Sequence, residues 1–497
     1  MHGSIQEVLQ LINKAQSALG ENTLQKTLTT SSNIINYDLQ APAKNLYPVI
    51  TPLRNRIPRV PGQGGTATNW KAIFGLTGSG VKSMPWVPEG QRSGRMNYSA
   101  IDKAASYRTL GEEDTVSEEA LNAAMGFEDL MSTMAMRLLQ GTFIKEEFAI
   151  LGGNKSVALG TPTTPTVSAS GSGATLPAAT YSVIVVALTL EGINAASLST
   201  GVVQAPTITG ADGKTYVLNG GSSQKSAAAS QAVTLGQTLF ASTPAINGAV
   251  GYAWYTGTAG SEKLEAITTI NSVVFTKPLL GTGQAATAVT IDASQNSNYG
   301  FDGLLYSALL SGSGAYVNTL ATGTAGTGTP LTAGGRGNVN EIDAMFQSMW
   351  DNFRCGPTVI LANSQEVKNI TNKVLSSASG PLLRYDGGSG KDPYAIVGNG
   401  VVEAYYNPFA LGGGFRVPIL IHPNVPAGTL LGWCENLPAQ YQSAEVPNVA
   451  EMKIRKEYKQ TFWPQTTRSR DCGVYVEETL AVYLPGAMGV INNIANG

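Results

Sequence analysis

Two histidines are all this chain has, His2 and His422, so multi-histidine metal sites and the HExxH pattern are excluded. His422 falls in "LIHPNVP", a strand end or turn, where no chemical role is expected. Paired carboxylates are the next candidates, since two acids with separated pKa values can share general acid and base work. Glu112-Glu113-Asp114 and Glu146-Glu147 are such clusters. The first sits beside a helix start and the second on a helix surface, so solvated charge is the expected state of both. "GGSGKD" near Lys391 superficially suggests a phosphate loop, but Tyr385 stands where the first Gly should be and Asp392 replaces Ser/Thr. No GxSxG elbow is present. Cys355, Cys434 and Cys472 are widely spaced without a CxxC pair, which fits a reducing compartment and argues against a disulfide scaffold. No enzyme, cofactor or metal is expected.

With 497 residues the chain is long enough for several domains. Charged residues make up only 13% and the net charge is −2, so no general attraction to nucleic acid or anionic membrane follows. There is no basic stripe with interleaved aromatics; any DNA contact would be loose and electrostatic. The N-terminus lacks the basic and apolar regions of a signal peptide, and Ile5, Val8, Leu9 and Ile12 suggest a short amphipathic helix. "YSVIVVALTL" at 181–190 is too short to span a bilayer, so a soluble protein is expected.

The elements that must position any working residue read as follows. Residues 21–60 form an extended, proline-punctuated arm. "TATNWKAIFGL" and "RMNYSAIDKAASYRTL" flank a turn-rich stretch, giving a two-stranded finger over about 66–110. A lone hairpin of that length is marginal in water, so it must rest on something else, most simply another copy. Thr115–Phe148 contains no proline and opens with "TVSE", a capping box of Thr115 and Glu118. Ala124, Phe127, Met131, Met134 and Leu138 make an apolar stripe, predicting one helix of 34 residues, roughly 50 Å long. Residues 153–297 hold only ten charged residues and short β-branched runs between Gly, Asn, Ser and Pro, an all-β sandwich pattern. After 298 the texture returns. "NVNEIDAMFQSMWDNF", capped by Asn338 and Glu341, predicts a helix with Ile342, Met345, Phe346, Met349, Trp350 and Phe353 on one face. "PTVILA" predicts a buried strand, "SQEVKNITNKVL" a helix, and "VVEAYY", "VPILIHP", "GTLLGW", "KIRKEYKQTFW" and "GVYVEETLAVYL" further strands.

The order arm, finger, long helix, mixed body and C-terminal strand resembles the major capsid proteins of tailed bacteriophages with the Hong Kong 97-type fold. "WVPEGQRSGRMNYSAIDKAASYRTLGEEDTVSEEAL" resembles the extended loop running into the spine helix, "FDGLL" the return into the peripheral domain, and "GPTVILANSQEVKNI" with "VPILIHPNVPAGTLLGW" the axial domain. "VYVEETLAVYLPGAMGVINN" resembles the closing peripheral-domain strand. The resemblance implies an α+β chain divided as 1–60 N-terminal helix and arm, 61–112 extended loop, 113–152 spine helix, 153–297 inserted sandwich, 298–337 return, 338–447 axial domain and 448–497 C-terminal strands. The insertion itself resembles immunoglobulin-like or fibronectin type III domains, "GATLPAATYSVIVVALTLEGINAAS" their early strands and "AINGAVGYAWYTGTAGSEKLEAITTINSVVFT" their later ones. Its 145 residues exceed the ~100 of a standard sandwich, and the surplus is expected as a long loop near 208–235.

What the resemblance implies is a structural protein that assembles as pentamers and hexamers into an icosahedral head shell around double-stranded DNA, with portal and scaffolding proteins as partners. The virion, assembled in the bacterial cytoplasm, is the implied location, with the sandwich on the outer surface. Trp70 and Trp86 are candidate inter-subunit anchors, because a large ring on an exposed hairpin otherwise stays wet. Glu89, Arg92 and Arg108 are candidate ion-pair partners between subunits. The prototype cross-links a loop lysine to a neighbour's asparagine; Lys82 is the finger's lysine for that role, without a recognisable partner. Two other classes compete: an encapsulin-like nanocompartment shell, and an adhesin-type protein whose sandwich binds carbohydrate. If the sandwich is a true insertion, residues near 153 and 298 lie together, and replacing 153–297 by a short linker leaves a foldable body.

Overall fold

The structure, a computed structural model, describes residues 48–78, 86–87, 89–92, 96–126, 128–210, 213–335, 337–376, 402–409, 414–438, 442 and 446–495, with the short strands Leu28–Thr29 and Asn33–Ile34. The N-terminal helix expectation, Lys82 and the stretch around Lys391 lie outside the described residues.

Proline at the first turn starts a five-residue helix, α1 (Pro52–Arg56), and β1 (Arg59–Pro61) follows. The finger is β2 (Ala67–Gly78) paired with β3 (Met96–Ser106), in register from Ala67↔Ser106 to Gly78↔Met96, with a bulge between Ile73 and Gly75. Beyond it the chain does not enter a helix where expected. Residues Arg108–Ser117 form strand β4, paired along its whole length with residues 469–478. A ten-residue ladder outweighs the local helix preference of its glutamates. Thr115 therefore caps nothing; its hydroxyl donates across the sheet to Asp471. Ser117 caps α2 (Glu118–Ala123) instead, and Gly126, at φ +82°, breaks the path. Asp129 then accepts hydrogen bonds from the Met131 and Ser132 amides and starts the long helix α3 (Leu130–Gly152). Its 23 residues give ~35 Å rather than the expected length.

Seven strands in two sheets make the sandwich. β5 (Thr166–Ser170), β6 (Ala179–Leu188), β7 (Ala229–Val233), β8 (Thr238–Ser242), β9 (Gly251–Gly257), β10 (Lys263–Thr268) and β11 (Ser272–Phe275) pair in the orders β7-β6-β9-β10 and β11-β8-β5. Tyr181, Val183, Val185 and Ala187 point between the sheets with Leu239, Trp254 and Phe275. The alternate residues Ile184, Val186 and Leu188 are also buried, against Val202, Tyr255 and Val289. A strand covered on both faces explains why "VIVVAL" is continuously apolar instead of alternating. It also corrects the expected loop near 208–235. That stretch contains the hairpin Thr207–Thr209/Thr215–Val217 and the sandwich strand β7, while the cover over the outer face is supplied by Val202, Ala286 and Val289 with Ile193 of the helix α4 (Leu190–Ala195).

Helix α5 (Leu304–Leu309), strand β12 (Tyr316–Thr319), helix α6 (Asn340–Phe353), strand β13 (Val359–Ala362), helix α7 (Ser364–Ser376), and strands β14 (Ala404–Asn407), β15 (Phe415–Ile421) and β16 (Leu430–Trp433) build the body. Its six-stranded mixed sheet runs β12-β19-β16-β13-β15-β14, where β19 is Met488–Asn492. That last segment is an interior strand of this sheet: all five residues are buried, and they pair with Leu430–Trp433. Similarly β12, expected with the return segment, completes this sheet by lying parallel to β19. In α6 the expected apolar face holds, with Ile342, Met345, Phe346 and Met349 buried, but Asn338 and Glu341 do not cap it. Val339 is the capping position, Asn338 donates to Asp343, and Glu341 accepts from the Thr332 amide. A second sheet, β1-β17-β18-β4, uses β17 (Ala450–Phe462) and β18 (Ser469–Val482), and α3 packs on it through Met134, Leu138, Cys472 and Val474. The chain is α+β.

The chain enters and leaves the sandwich at one place. The Asn296 amide donates to the Asn154 carbonyl at 2.8 Å and the Gly303 amide to the Gly153 carbonyl at 2.8 Å, so the segments entering and leaving 153–297 run side by side. A side chain at Gly303 would meet the Ala149 and Ile150 carbonyls at 2.7 Å, which is why glycine stands at the crossing.

Candidate functional site

The most elaborate polar arrangement in the chain lies where α1, α3, β1 and both body sheets converge. Met134, Leu138, Thr142, Glu146 and Ile150 follow each other at four-residue spacing down the buried side of α3. Glu146 is on that row and Glu147 is next to it, so both carboxylates point inward and are fully buried. This corrects the expectation of solvated surface charge. Buried carboxylates are tolerated only when paired and hydrogen-bonded, and each of these is.

Glu147 caps α1. Its two oxygens accept from the Leu53 amide at 2.8 Å and the Arg54 amide at 2.7 Å. The same carboxylate meets His422 Nε2 at 2.7 Å. His422, fully buried just after β15, accepts the Asn424 amide on Nδ1 at 3.1 Å, which assigns its ring hydrogen to Nε2, facing Glu147. Glu146 takes the arginines. Arg54 Nε donates to it at 2.9 Å, and both Arg59 and the Tyr458 hydroxyl contact it closely. The Arg54 guanidinium also lies 3.8 Å over the Phe143 ring, and Phe143 meets Tyr458 edge-on at 5.3 Å. Burial pushes the Tyr458 phenol up. Both carboxylates are buried and committed to donors of this chain. What it can do is fasten: one pair of adjacent glutamates ties the arm to the long helix and to both sheets.

The residues named from the sequence fall into two groups. Trp86, Glu89 and Arg92 stand exposed beyond the finger's paired strands, Trp86 at 86% exposure. Trp70 and Arg108 are at the finger's base and are engaged within the chain. Trp70 meets Tyr483 edge-on at 5.3 Å, and Arg108 donates to the Gly300 carbonyl at 3.1 Å and the Ser297 carbonyl at 3.0 Å. Along the finger, Ile73 and Tyr98 lie on one face and Ile101 on the other, all about half exposed or more. Among the acidic clusters, Glu113 accepts from Tyr475 and Glu112 pairs with Lys145. The glutamate–histidine junction was missed because its partners come from segments hundreds of residues apart; the four-residue row through Glu146 was the available signal.

Among the described residues, no group of three or more His, Cys, Asp or Glu could hold a metal ion, and no helix is long and apolar enough to cross a membrane. No family model matches the sequence, and no curated protein matches it. Among solved structures the chain is similar to the capsid of a native GTA particle, at 10% identity and a TM-score of 0.41, covering 93% of this chain and 96% of that one. It is similar to the capsid of Myoviridae phage XM1, at 10% identity and a TM-score of 0.41, covering 93% and 100%. It is also similar to the SrpI encapsulin from Synechococcus elongatus, at 9% identity and a TM-score of 0.38, covering 93% of each.

Proposed function

We propose that this protein is a shell-forming major capsid protein of the Hong Kong 97 type. The observation that carries the reading is the finger. It is a hairpin of 12 and 11 residues whose base is locked to its own chain, while Ile73, Tyr98, Ile101 and Trp86 show apolar surface to solvent beyond it. Such a hairpin has too little cover of its own to be stable alone and is completed by lying across a neighbouring copy. Repeated head-to-tail, that contact is heterologous and closes rings, which in this reading are the pentamers and hexamers of an icosahedral shell. Trp86 is the proposed anchor, with Glu89 and Arg92 beside it as ion-pair partners. Double-stranded DNA inside, a portal, a scaffolding protein and assembly in the host cytoplasm complete the proposal.

The sandwich fits an immunoglobulin-like domain displayed outside the shell. Tyr181, near the start of β6, donates to the Pro177 carbonyl four residues upstream at 2.9 Å, the tyrosine corner of strand F in that fold. Trp254, wholly buried on the adjacent β9, has the place of the strand C tryptophan. Lettered this way the chain order is A, F, G, B, C, C′, E, with F and G lying between A and B instead of after E.

Expression of the full chain with and without candidate viral partners, followed by negative-stain electron microscopy, tests the reading. Closed shells or tubes are expected; a monodisperse monomer under every condition overturns it. The ultraviolet absorbance ratio of purified shells separates a DNA-filled head from a nucleic-acid-free compartment.

A further inference from the structure

Glu478 lies in β18, fully buried, and among the described residues nothing donates a hydrogen bond to either carboxylate oxygen. Charged and titratable neighbours surround it from every packed element. Arg59 on β1 brings NH1 to 3.7 Å. Arg54 on α1 adds positive charge but gives its Nε to Glu146 on α3. From β17, Glu457 adds negative charge and Tyr458 commits its hydroxyl to Glu146. Arg108, opposite Glu478 in the β4 ladder, turns its guanidinium to the Ser297 and Gly300 carbonyls. One arginine is thus left between two buried acids. Arg59 pairs NH2 with Glu146, while its Nε and NH1 hydrogens have no acceptor.

We propose that Glu478 is a proton-operated latch on the arm. As the neutral acid it leaves Arg59 with Glu146 and β1 seated on β17; as the carboxylate it draws the Arg59 guanidinium away from Glu146 and loosens that three-residue edge strand. The chemistry is consistent with the environment: burial pushes Glu478 up to about 7 from an ordinary 4.5, with Arg59 and Arg54 pulling the other way. An acid whose folded pKa is raised contributes stability that is complete below about 4.5 and is lost as pH rises through about 7.

Amide hydrogen exchange on the full-length chain, corrected for intrinsic rates, tests this at the bonds that seat β1: Gly62 N–H to the Ile454 carbonyl and Met452 N–H to the Pro58 carbonyl. Protection is expected to fall by up to about tenfold per pH unit between about 5 and 7 and to level off above. In Glu478→Gln the profile is expected to be flat, with protection above wild type at pH 8. Parallel profiles in the two proteins overturn the proposal. If the glutamine variant does not fold, infrared difference spectra of the wild type decide: a protonated-carboxyl band lost on going from pH 5 to 8.5 supports the latch, and its absence overturns it.

Discussion

Asn271, in the turn before β11, and Asn493, just after β19, hold each other across 222 residues of sequence. The Asn271 amide donates to Asn493 Oδ1 at 2.9 Å, and Asn493 Nδ2 donates back to Asn271 Oδ1 at 3.1 Å. The Asn271 side chain also donates to the Thr243 carbonyl and to Thr322, and Asn493 to the Leu320 carbonyl. Both are buried, so this is a second fastening of the sandwich to the body, independent of the stalk where the chain enters and leaves.

Asn493 sits at φ +60°, a left-handed position where asparagine is tolerated better than other side chains. Asn493→Ala loses the amide bonds and gains backbone strain, and is expected to destabilise by about 2–4 kcal/mol. Asn493→Gly relieves the strain and keeps only the hydrogen-bond loss, about 1–3 kcal/mol. Urea unfolding of the three proteins separates the contributions.

Glu147 serves three donors at once, two amides of α1 and the His422 ring. Glu147→Ala leaves all three buried without an acceptor and is expected to lose about 3–5 kcal/mol. His422→Ala leaves the α1 cap intact and is expected to cost less. A double-mutant cycle read by chemical denaturation should return a coupling of about 1 kcal/mol or more; additive effects would mean that the pair is not an interacting unit.

Local chemistry made most of the elements legible, and non-local pairing hid the rest. "GYAWYTG" and "PTVILA" are strands because β-branched and aromatic residues suit a pleated surface, wherever they pair. "TVSE" has the residues of a helix start, yet its threonine belongs to a strand because β18 lies beside it. "ASQAV" has no strong strand former except its last residue, and β7 exists because the β6 edge pairs with it. The candidate site divides the same way. Trp86 was legible as an exposed ring since nothing near it in sequence offers cover. Trp70 and Arg108 were not legible as base contacts, because Tyr483, Ser297 and Gly300 approach only in the fold.

Tyr306 changes what removal of the sandwich should do. Its hydroxyl accepts from the Leu190 amide at 2.9 Å and donates to the Gly248 carbonyl at 3.1 Å, wholly buried between sandwich and body. Leu190 and Val250 share a core with Leu304 and Leu305. Replacing 153–297 with a Gly/Ser linker therefore uncovers apolar surface and a buried hydroxyl, and is expected to yield aggregate rather than the foldable body anticipated from sequence. Tyr306→Phe in the full chain should cost about 1–3 kcal/mol. Size-exclusion chromatography of the excised chain checks the first outcome; a soluble monodisperse body would mean that the shared core is dispensable.

The two finger tryptophans should separate stability from assembly. Trp86 touches water over most of its surface, so Trp86→Ser is expected to leave subunit stability within about 0.5 kcal/mol. If the finger completes itself on a neighbour, the same substitution removes a desolvated anchor and slows or blocks shell formation. Trp70 packs on Tyr483 of its own chain, so Trp70→Ala should cost about 2 kcal/mol of subunit stability through lost packing. Thermal unfolding of the unassembled subunit and light scattering during assembly make the comparison. A Trp86→Ser protein that assembles at the wild-type rate would remove Trp86 from the interface, whereas a loss of assembly at unchanged melting temperature places the contact at the finger's tip rather than its base.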